Sequence, residues 1–134
     1  MELAKSHIII VAERTPRAKY FESLIKEEYH NSASVEITSY DKLFDLDMNS
    51  ENVLFVIDLM DFERSAFNII EKLKTKYSSA KILALHIYQS QELVTPLFKK
   101  GVDGYVSSDP TRKEFFRAMG HVLNGKTYKP NFTE

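Results

Sequence analysis

Five short runs of aliphatic and β-branched residues recur along the 134-residue chain, and a stretch with helical spacing follows each one. The runs lie at residues 7–12, 34–39, 52–58, 81–86 and 102–107. The first contains the string "IIIV" and the third "VLFVI", and such continuous apolar strings are typical of strands buried on both faces. Parallel strands need a crossover, usually a helix, so the alternation favours a parallel sheet covered on both sides. We therefore predict an α/β, doubly wound fold.

The stretches between these runs have apolar residues at the spacing of one buried helical face. The first helix should begin at Thr15-Pro16, a hydroxyl cap followed by a proline suited to the first turn. The fourth should end at Gly101 after two lysines, and the second, near residues 41–48, is the weakest. The residues that we expect these helices to bury are Tyr20, Phe21, Leu24 and Ile25 in the first, Ala66, Phe67, Ile70, Leu73 and Tyr77 in the third, and Phe115, Phe116, Met119, Val122 and Leu123 in the fifth.

Charge and composition disfavour several functional classes. Eighteen basic and 19 acidic residues give a formal net charge of -1 without a basic face, so we expect no direct nucleic-acid binding. The chain shows neither an apolar run of membrane-spanning length nor a secretory signal, so we expect no membrane association. It contains no cysteine, which excludes disulfides and thiolate metal sites and fits a cytoplasmic protein.

The buried third run ends on a carboxylate, Asp58. In doubly wound sheets the functional crevice lies beyond the carboxyl ends of the strands, so Asp58 should face it together with Glu13 and Arg14. The first turn, Ala12 to Thr15, has no glycine, which disfavours a phosphate cradle for a nucleotide or flavin. Glu13 and Asp58 would form an acidic pair suited to a hard cation or to chemical modification of a carboxylate. The alternative is that these acids cap a helix or are merely solvated.

Five segments carry a resemblance to a known family: "HIIIVAERTP", "VLFVIDL", "KILALHIYQS", "KKGVDGYVSSD" and "HVLNGKTYKP". Over about residues 6–130 the chain resembles the receiver domains of bacterial response regulators, in the CheY-like superfamily, especially those that precede LuxR/NarL-type helix-turn-helix effectors. The resemblance implies a flavodoxin-like receiver fold with five helices and a five-stranded parallel sheet in the order 2-1-3-4-5. It also implies Mg²⁺-dependent phosphorylation of Asp58 by a partner sensor histidine kinase.

The same resemblance assigns roles to other residues of the crevice. It implies a metal set of Glu13, Asp58 and Met60, and a switch or pocket set of His86, Tyr105 and Ser108. Ala12 stands where the family has a second acid, and loss of an oxygen ligand should weaken Mg²⁺, which requires near-octahedral oxygen coordination.

Other departures from the family pattern concern the phosphoryl group itself. His86 stands in place of a serine or threonine, Ser108 replaces a lysine, and Asp61-Phe62 replaces Met-Pro. We therefore expect positive charge to be lost from the pocket. Loss of a single preorganised donor commonly costs about 2.7–4 kcal/mol of transition-state stabilisation, so we predict impaired phosphorylation.

Two residues have competing interpretations. Protonated His86 could pair with Asp58, with Arg14 also restoring charge, and make the site pH-responsive. Alternatively, His86 simply fills the vacant pocket. Tyr105 occupies the position of a family aromatic that changes orientation in signalling, but an aromatic residue at a strand end is usually a packing residue.

From these observations we predict a receiver-like domain at residues 1–126 with a C-terminal tail at 127–134. It would be an atypical receiver of a two-component phosphorelay that acts through protein–protein contacts and is not an enzyme. Its expected partner is a sensor histidine kinase or another signalling protein, and a homodimer through the helix 4–strand 5–helix 5 face is a family expectation. The alternatives are a phosphorylation-competent receiver that uses Asp58 and a flavodoxin-like protein that binds a small ligand.

Overall fold

The computed structural model describes residues 6–13, 15–46, 52–61, 65–87 and 90–129, and all statements below refer to them. It confirms the predicted doubly wound α/β fold. One parallel sheet has the strand order β2-β1-β3-β4-β5, with the crossover point between β1 and β3. The strands are β1 (Ser6–Val11), β2 (Ala33–Thr38), β3 (Val53–Asp58), β4 (Lys81–His86) and β5 (Gly104–Ser107).

Five α-helices and a short 3-10 turn at Leu59–Asp61 connect the strands. The helices are α1 (Thr15–Tyr29), α2 (Tyr40–Leu43), α3 (Ala66–Lys76), α4 (Gln91–Lys100) and α5 (Arg112–Leu123). The last four begin after a hydroxyl residue whose side chain accepts a backbone N–H three positions later, which satisfies one free amide of the first turn. Helix α2 is a single turn, shorter than predicted, and residues 47 and 48 of its predicted span lie outside the described residues.

The helices form two layers that bury opposite faces of the sheet. Along a strand the side chains alternate between faces, so Ile8 and Ile10 pack under α1 and α5 whereas Ile9 and Val11 pack under α3 and α4. Strand β3 is buried along its whole length, as its continuous apolar run predicts. The strand therefore carries Asp58, its last residue, into a position that the core shields.

The predicted burial of Tyr20 in α1 is wrong, because its side chain is 52% exposed. Helix α1 buries Ala18, Phe21, Leu24 and Ile25, a stripe with the expected three- and four-residue steps. Tyr20 lies one residue, or about 100°, around the helix axis from Phe21, which places it at the edge of that stripe. In the other helices, four residues predicted to be buried lie at the edge of the core and are only partly buried: Phe67, Tyr77, Phe116 and Leu123.

The glycine-bounded segment before β5 stabilises the amino-terminal end of the sheet. Gly101 ends α4 with φ +123°, a conformation that side chains rarely adopt. The aliphatic part of Lys74 packs against it, and the Lys74 ammonium lies 3.6 Å from the Asp103 carboxylate. Asp103 in turn accepts the backbone N–H of Ile82 at 2.9 Å. Strand β5 begins at Gly104, two residues later than the predicted run.

The residues after α5 extend the sheet. Tyr128 donates its backbone N–H to the Asp103 carbonyl at 2.9 Å and accepts that of Tyr105 at 3.0 Å. Its ring packs against His121, and the ammonium of Lys129 lies 5.1 Å from the centre of the Phe98 ring. The first part of the predicted tail therefore packs on the domain. None of the described helices has the length and apolarity needed to cross a bilayer.

Candidate functional site

The carboxylate of Asp58 is the buried acid of the crevice, with only 1% of the residue exposed. It lies at the carboxyl end of β3, beside Leu85 of β4, at the edge where the sequence places the functional crevice. Removal of an ionised carboxylate from water is costly unless the carboxylate is paired and hydrogen-bonded. The nature of its partners therefore decides what Asp58 can do.

The main partner of Asp58 is Arg17 of α1. Its Nε donates to Asp58 Oδ2, and its Nη2 donates to Asp58 Oδ1 at 3.3 Å, so the guanidinium contacts both carboxylate oxygens. This fork-to-fork pairing matches the planar geometry of the two groups and is stronger than a contact between neutral groups. The hydrogen bond to Asp58 raises the pKa of Arg17 above its usual value, against the opposing effect of burial. The Arg17 side chain is 24% exposed and remains charged.

Arg17 also contacts the loop after β5. Its Nη2 donates to the backbone carbonyl of Ser108 at 2.7 Å, and its Nη1 lies 3.4 Å from the carboxylate of the exposed residue Asp109. The guanidinium thus joins α1, the end of β3 and the β5–α5 loop. The expected loss of positive charge from the pocket is therefore wrong, because α1 supplies the charge that Ser108 lacks. Arg14, which we considered for this role, lies outside the described residues.

Glu13 and Met60, the other two candidate metal ligands, each form a hydrogen bond within the protein. The Oε1 of Glu13 accepts the backbone N–H of Tyr40 at 2.9 Å, at the first residue of α2. The backbone N–H of Met60 donates to Asp58 Oδ1 at 3.3 Å. One carboxylate oxygen of Glu13 and one of Asp58 thus each accept a backbone N–H. The contact of Glu13 is with the first residue of α2, so Glu13 caps that helix, whereas the charge of Asp58 is balanced by Arg17.

The residues present do not fit the Mg²⁺ ion that the fold family implies. A magnesium ion needs oxygen ligands in near-octahedral geometry, whereas both carboxylate oxygens of Asp58 accept hydrogen bonds from a cation. The Oε1 atom of Glu13 is a third acidic oxygen that already accepts a hydrogen bond, from the backbone N–H of Tyr40 in α2. Among the described residues, no group of three or more histidine, cysteine or acidic side chains could hold a metal. An ion at Asp58 would have to displace Arg17.

His86 lies at the carboxyl end of β4, beside Ser107 of β5. Burial lowers its pKa, and the nearby charge of Asp58 only partly opposes this effect. The shift favours the neutral imidazole at neutral pH, contrary to the hypothesis of a protonated His86 paired with Asp58. The Nδ1 atom is shielded from solvent, in agreement with the alternative in which the ring fills the pocket.

Tyr105 is 1% exposed and belongs to the core layer under α3 and α4. This placement agrees with a packing residue, whereas a change of its orientation stays a prediction.

A surface pocket of about 410 Å³ adjoins Arg17 on the side of α1. The exposed ring of Tyr20 forms one wall, and Asp109 lies beside the guanidinium. The lining residues are Pro16, Arg17, Tyr20, Phe21, Asp109 and Pro110. The pocket places apolar and aromatic surface next to the ion pairs of Arg17.

Sequence reasoning missed Arg17, although the sequence holds a signal for it. In a parallel sheet the helix that follows β1 begins at the crevice edge, so residues of its first turn lie near the strand ends. A basic residue in the first turn of a helix opposes the helix dipole and is unfavourable unless an acid compensates it. Arg17 follows Thr15-Pro16 and so lies in the first turn of α1, where its charge indicates a carboxylate partner.

Neither a family model nor a curated protein matches the sequence. Solved structures do match. A LuxR-family two-component response regulator from Aurantimonas sp. SI85-9A1 has a TM-score of 0.78 and 18% identity, over 93% of this chain and 89% of that one. The isolated REC domain of RcsB from Salmonella enterica serovar Typhimurium, in the presence of the phosphomimetic BeF3-, has a TM-score of 0.75 and 15% identity. This match covers 95% of the present chain and 94% of that domain. The chain has the receiver fold.

The receiver fold agrees with the strand order and helix number given above. A LuxR-family DNA-binding response regulator from Silicibacter pomeroyi matches with a TM-score of 0.76 and 16% identity, over 94% of this chain and 98% of that one. The structure of the Salmonella typhimurium RcsB response regulator matches with a TM-score of 0.75 and 14% identity. This match covers 96% of the present chain but only 63% of that protein. It thus spans less than two thirds of that regulator's length.

Proposed function

We propose that this chain is an atypical receiver domain of a two-component phosphorelay, in which phosphorylation of Asp58 is impaired and signalling proceeds through protein–protein contacts. The proposal places it in the cytoplasm with a sensor histidine kinase or another signalling protein as its partner, and without catalytic activity of its own. The receiver fold supports the signalling class. The observation that carries the proposal is the Arg17 guanidinium on both oxygens of Asp58.

Phosphorylation would require a free oxygen on Asp58. In that reaction a carboxylate oxygen attacks phosphorus, a new O–P bond forms, and the bond from phosphorus to the donor's leaving group breaks. Asp58 is almost fully buried, and both oxygens accept hydrogen bonds from a cation, so the ion pair must open before attack. The charged hydrogen bonds lower the nucleophilicity of the carboxylate and stabilise the unmodified state. This combination supports slow or absent phosphorylation.

The contact surface that we propose is the α4–β5–α5 face, which includes the start of α4. Ile87, four residues before α4, is 55% exposed, and Leu93, in the first turn of that helix, is 51% exposed. Isolated exposed apolar residues are common, so the support for this contact is that two of them lie close together in the sequence at the start of one helix. Sedimentation of the wild type and of Leu93→Glu tests it. We expect the wild type to form dimers and Leu93→Glu to be monomeric. The control Lys19→Glu, which changes an exposed residue of α1, should still form dimers.

The experiment that tests impaired phosphorylation is intact-mass analysis after incubation with acetyl phosphate and Mg²⁺. A phosphorylation-competent receiver treated in parallel verifies the reagent, and amide NMR verifies that the sample is folded. We expect no phosphoryl adduct on the wild type and likewise none on Asp58→Asn. A stoichiometric adduct that requires Asp58 would instead establish a working receiver and overturn the proposal.

A further inference from the structure

Arg17 collects oxygen atoms of the kind that a hard cation would bind. Its guanidinium contacts both Asp58 carboxylate oxygens, the Ser108 carbonyl oxygen and one Asp109 oxygen. Carboxylate and backbone carbonyl oxygens are also the ligands of divalent cations such as Mg²⁺. The side chain enters this cluster from α1, whereas the oxygens belong to β3 and the β5–α5 loop. One positive charge from α1 thus occupies the centre of an oxygen cluster built from two other parts of the fold.

Two features make this charge difficult for a metal ion to replace. The fork of Arg17 satisfies both oxygens of Asp58, and Nη2 has a further short contact with the Ser108 carbonyl, so displacement breaks three hydrogen bonds. Both ends of the side chain are also held in place, because Arg17 lies within a helix and its guanidinium is 5.7 Å from the centre of the Phe21 ring. A divalent ion beside an undisplaced guanidinium would be repelled by it.

We propose that Arg17 is a built-in cation that takes the place of a divalent metal at Asp58 and excludes Mg²⁺ from the pocket. This inference deepens the proposed function and rests on it, since it concerns the same carboxylate. It assigns a positioning residue that the sequence pattern did not reveal. It also means that the β5–α5 loop is held next to Asp58 by the protein itself, without metal or phosphoryl group.

The direct test is a titration of the protein with Mg²⁺ at constant ionic strength, followed by amide NMR. Mn²⁺ serves as a second probe, because it broadens the signals of residues around its binding site. We expect the wild type to show no saturable response at Asp58. The variant Arg17→Met, which keeps much of the side-chain length but removes the charge, should bind Mg²⁺ saturably, at least about tenfold more tightly than the weakest binding that the wild-type titration would detect. This response should disappear in Arg17→Met/Asp58→Asn.

A matched control is Lys19→Met, which removes a positive charge from the exposed surface of the same helix. It should bind no more Mg²⁺ than the wild type. Arg17→Gln provides a second uncharged variant if Arg17→Met does not fold. Saturable binding to the wild type that Asp58→Asn abolishes, or the lack of any gain in a folded Arg17 variant, would overturn the inference.

The metal titration and the phosphorylation assay give separate answers. Mg²⁺ binding is measured without a phosphoryl donor, so a wild type that binds no metal supports the inference whatever its phosphorylation state. A phosphoryl adduct on Asp58 would refute the proposed impairment and leave the metal result unchanged. Conversely, tight Mg²⁺ binding to an unphosphorylated wild type refutes only the role of Arg17 as a substitute cation.

Discussion

The Nη2 atom of Arg17 lies 2.7 Å from the carbonyl oxygen of Ser108, although 91 residues separate them in the sequence. The same nitrogen lies 3.3 Å from Asp58 Oδ1. Helix α1 is thereby connected to two strand ends at the crevice edge of the sheet. Because the contact involves the backbone of Ser108, it does not depend on the side chain at that position. The pocket therefore has a positive charge even though the residue after β5 is a serine.

This arrangement makes Arg17 and Asp58 energetically coupled. We expect Arg17→Met to lower the free energy of unfolding by about 3 kcal/mol, because it leaves an uncompensated carboxylate in the core. Asp58→Asn should cost less, since the amide oxygen can still accept a hydrogen bond and Arg17 is partly solvated. The double variant should be more stable than the sum of the two effects predicts. Urea unfolding of all four proteins at neutral pH measures the coupling.

Lys19→Met is the reference substitution for this cycle. Lys19 is exposed and forms only a surface ion pair with Glu22 at 3.5 Å, so its loss should change stability by less than about 0.5 kcal/mol. Additive effects of the Arg17 and Asp58 substitutions would show that the two side chains do not stabilise each other in solution.

His86 should make stability depend on pH. Burial lowers its pKa in the folded state, so between the folded and unfolded pKa values the unfolded chain binds more protons. Stability should therefore decrease as pH falls below about 6.5, the unfolded value, and level off below the folded value. His86→Gln should remove this part of the decrease. Chemical unfolding of both proteins at a series of pH values between neutrality and the onset of carboxylate titration measures the difference.

His30→Gln is the matched control, because His30 is exposed at the end of α1. Its stability profile should follow that of the wild type. If His86→Gln instead removed stability that is present only at low pH, the protonated imidazole would be the favoured form, as in the hypothesis that pairs it with Asp58.

Two glycines should respond oppositely to replacement by alanine. A Cβ atom at Gly104 would lie 2.7 Å from Val122 Cγ2 and 2.9 Å from Leu83 Cδ1, and both neighbours are fully buried. Overpacking of this kind typically costs about 1–3 kcal/mol. A Cβ at Gly120 in α5 meets no atom within 4 Å, so Gly120→Ala should stabilise by up to about 1 kcal/mol through helix propensity. Thermal and urea unfolding distinguish these outcomes, and equal effects would contradict the close packing at Gly104.

The sequence predicts most of the fold because its strong signals are local. The apolar run of β3 and the end of α4 at Gly101 were both expected, as was the position of Asp58 at the crevice edge. In contrast, the burial of Tyr20 depends on a rotation of about 100° around one helix, which the apolar pattern of α1 does not resolve.

The partner of Asp58 could not be read from the pattern in the same way. A long side chain in the first turn of α1 can reach either solvent or the neighbouring strand ends, and the packing of α1 on the sheet decides between them. The family comparison directed attention to Ser108 and His86 because they replace familiar residues. The charge comes instead from Arg17, whose unfavourable place in the first turn of α1 indicates an acidic partner but does not identify it.

The contacts of Tyr128 predict that the segment after α5 contributes to stability. A chain that lacks residues 128–134 loses the two backbone hydrogen bonds with Asp103 and Tyr105 and the partly buried ring that packs against the core. We expect its free energy of unfolding to fall by about 1–3 kcal/mol. The Tyr105 amide, which donates to Tyr128, should exchange with solvent deuterium faster. Removal of residues 130–134 alone is the control and should leave exchange at Tyr105 unchanged. Equal protection of that amide in both shortened chains would show that the Tyr128 bridge is not formed in solution.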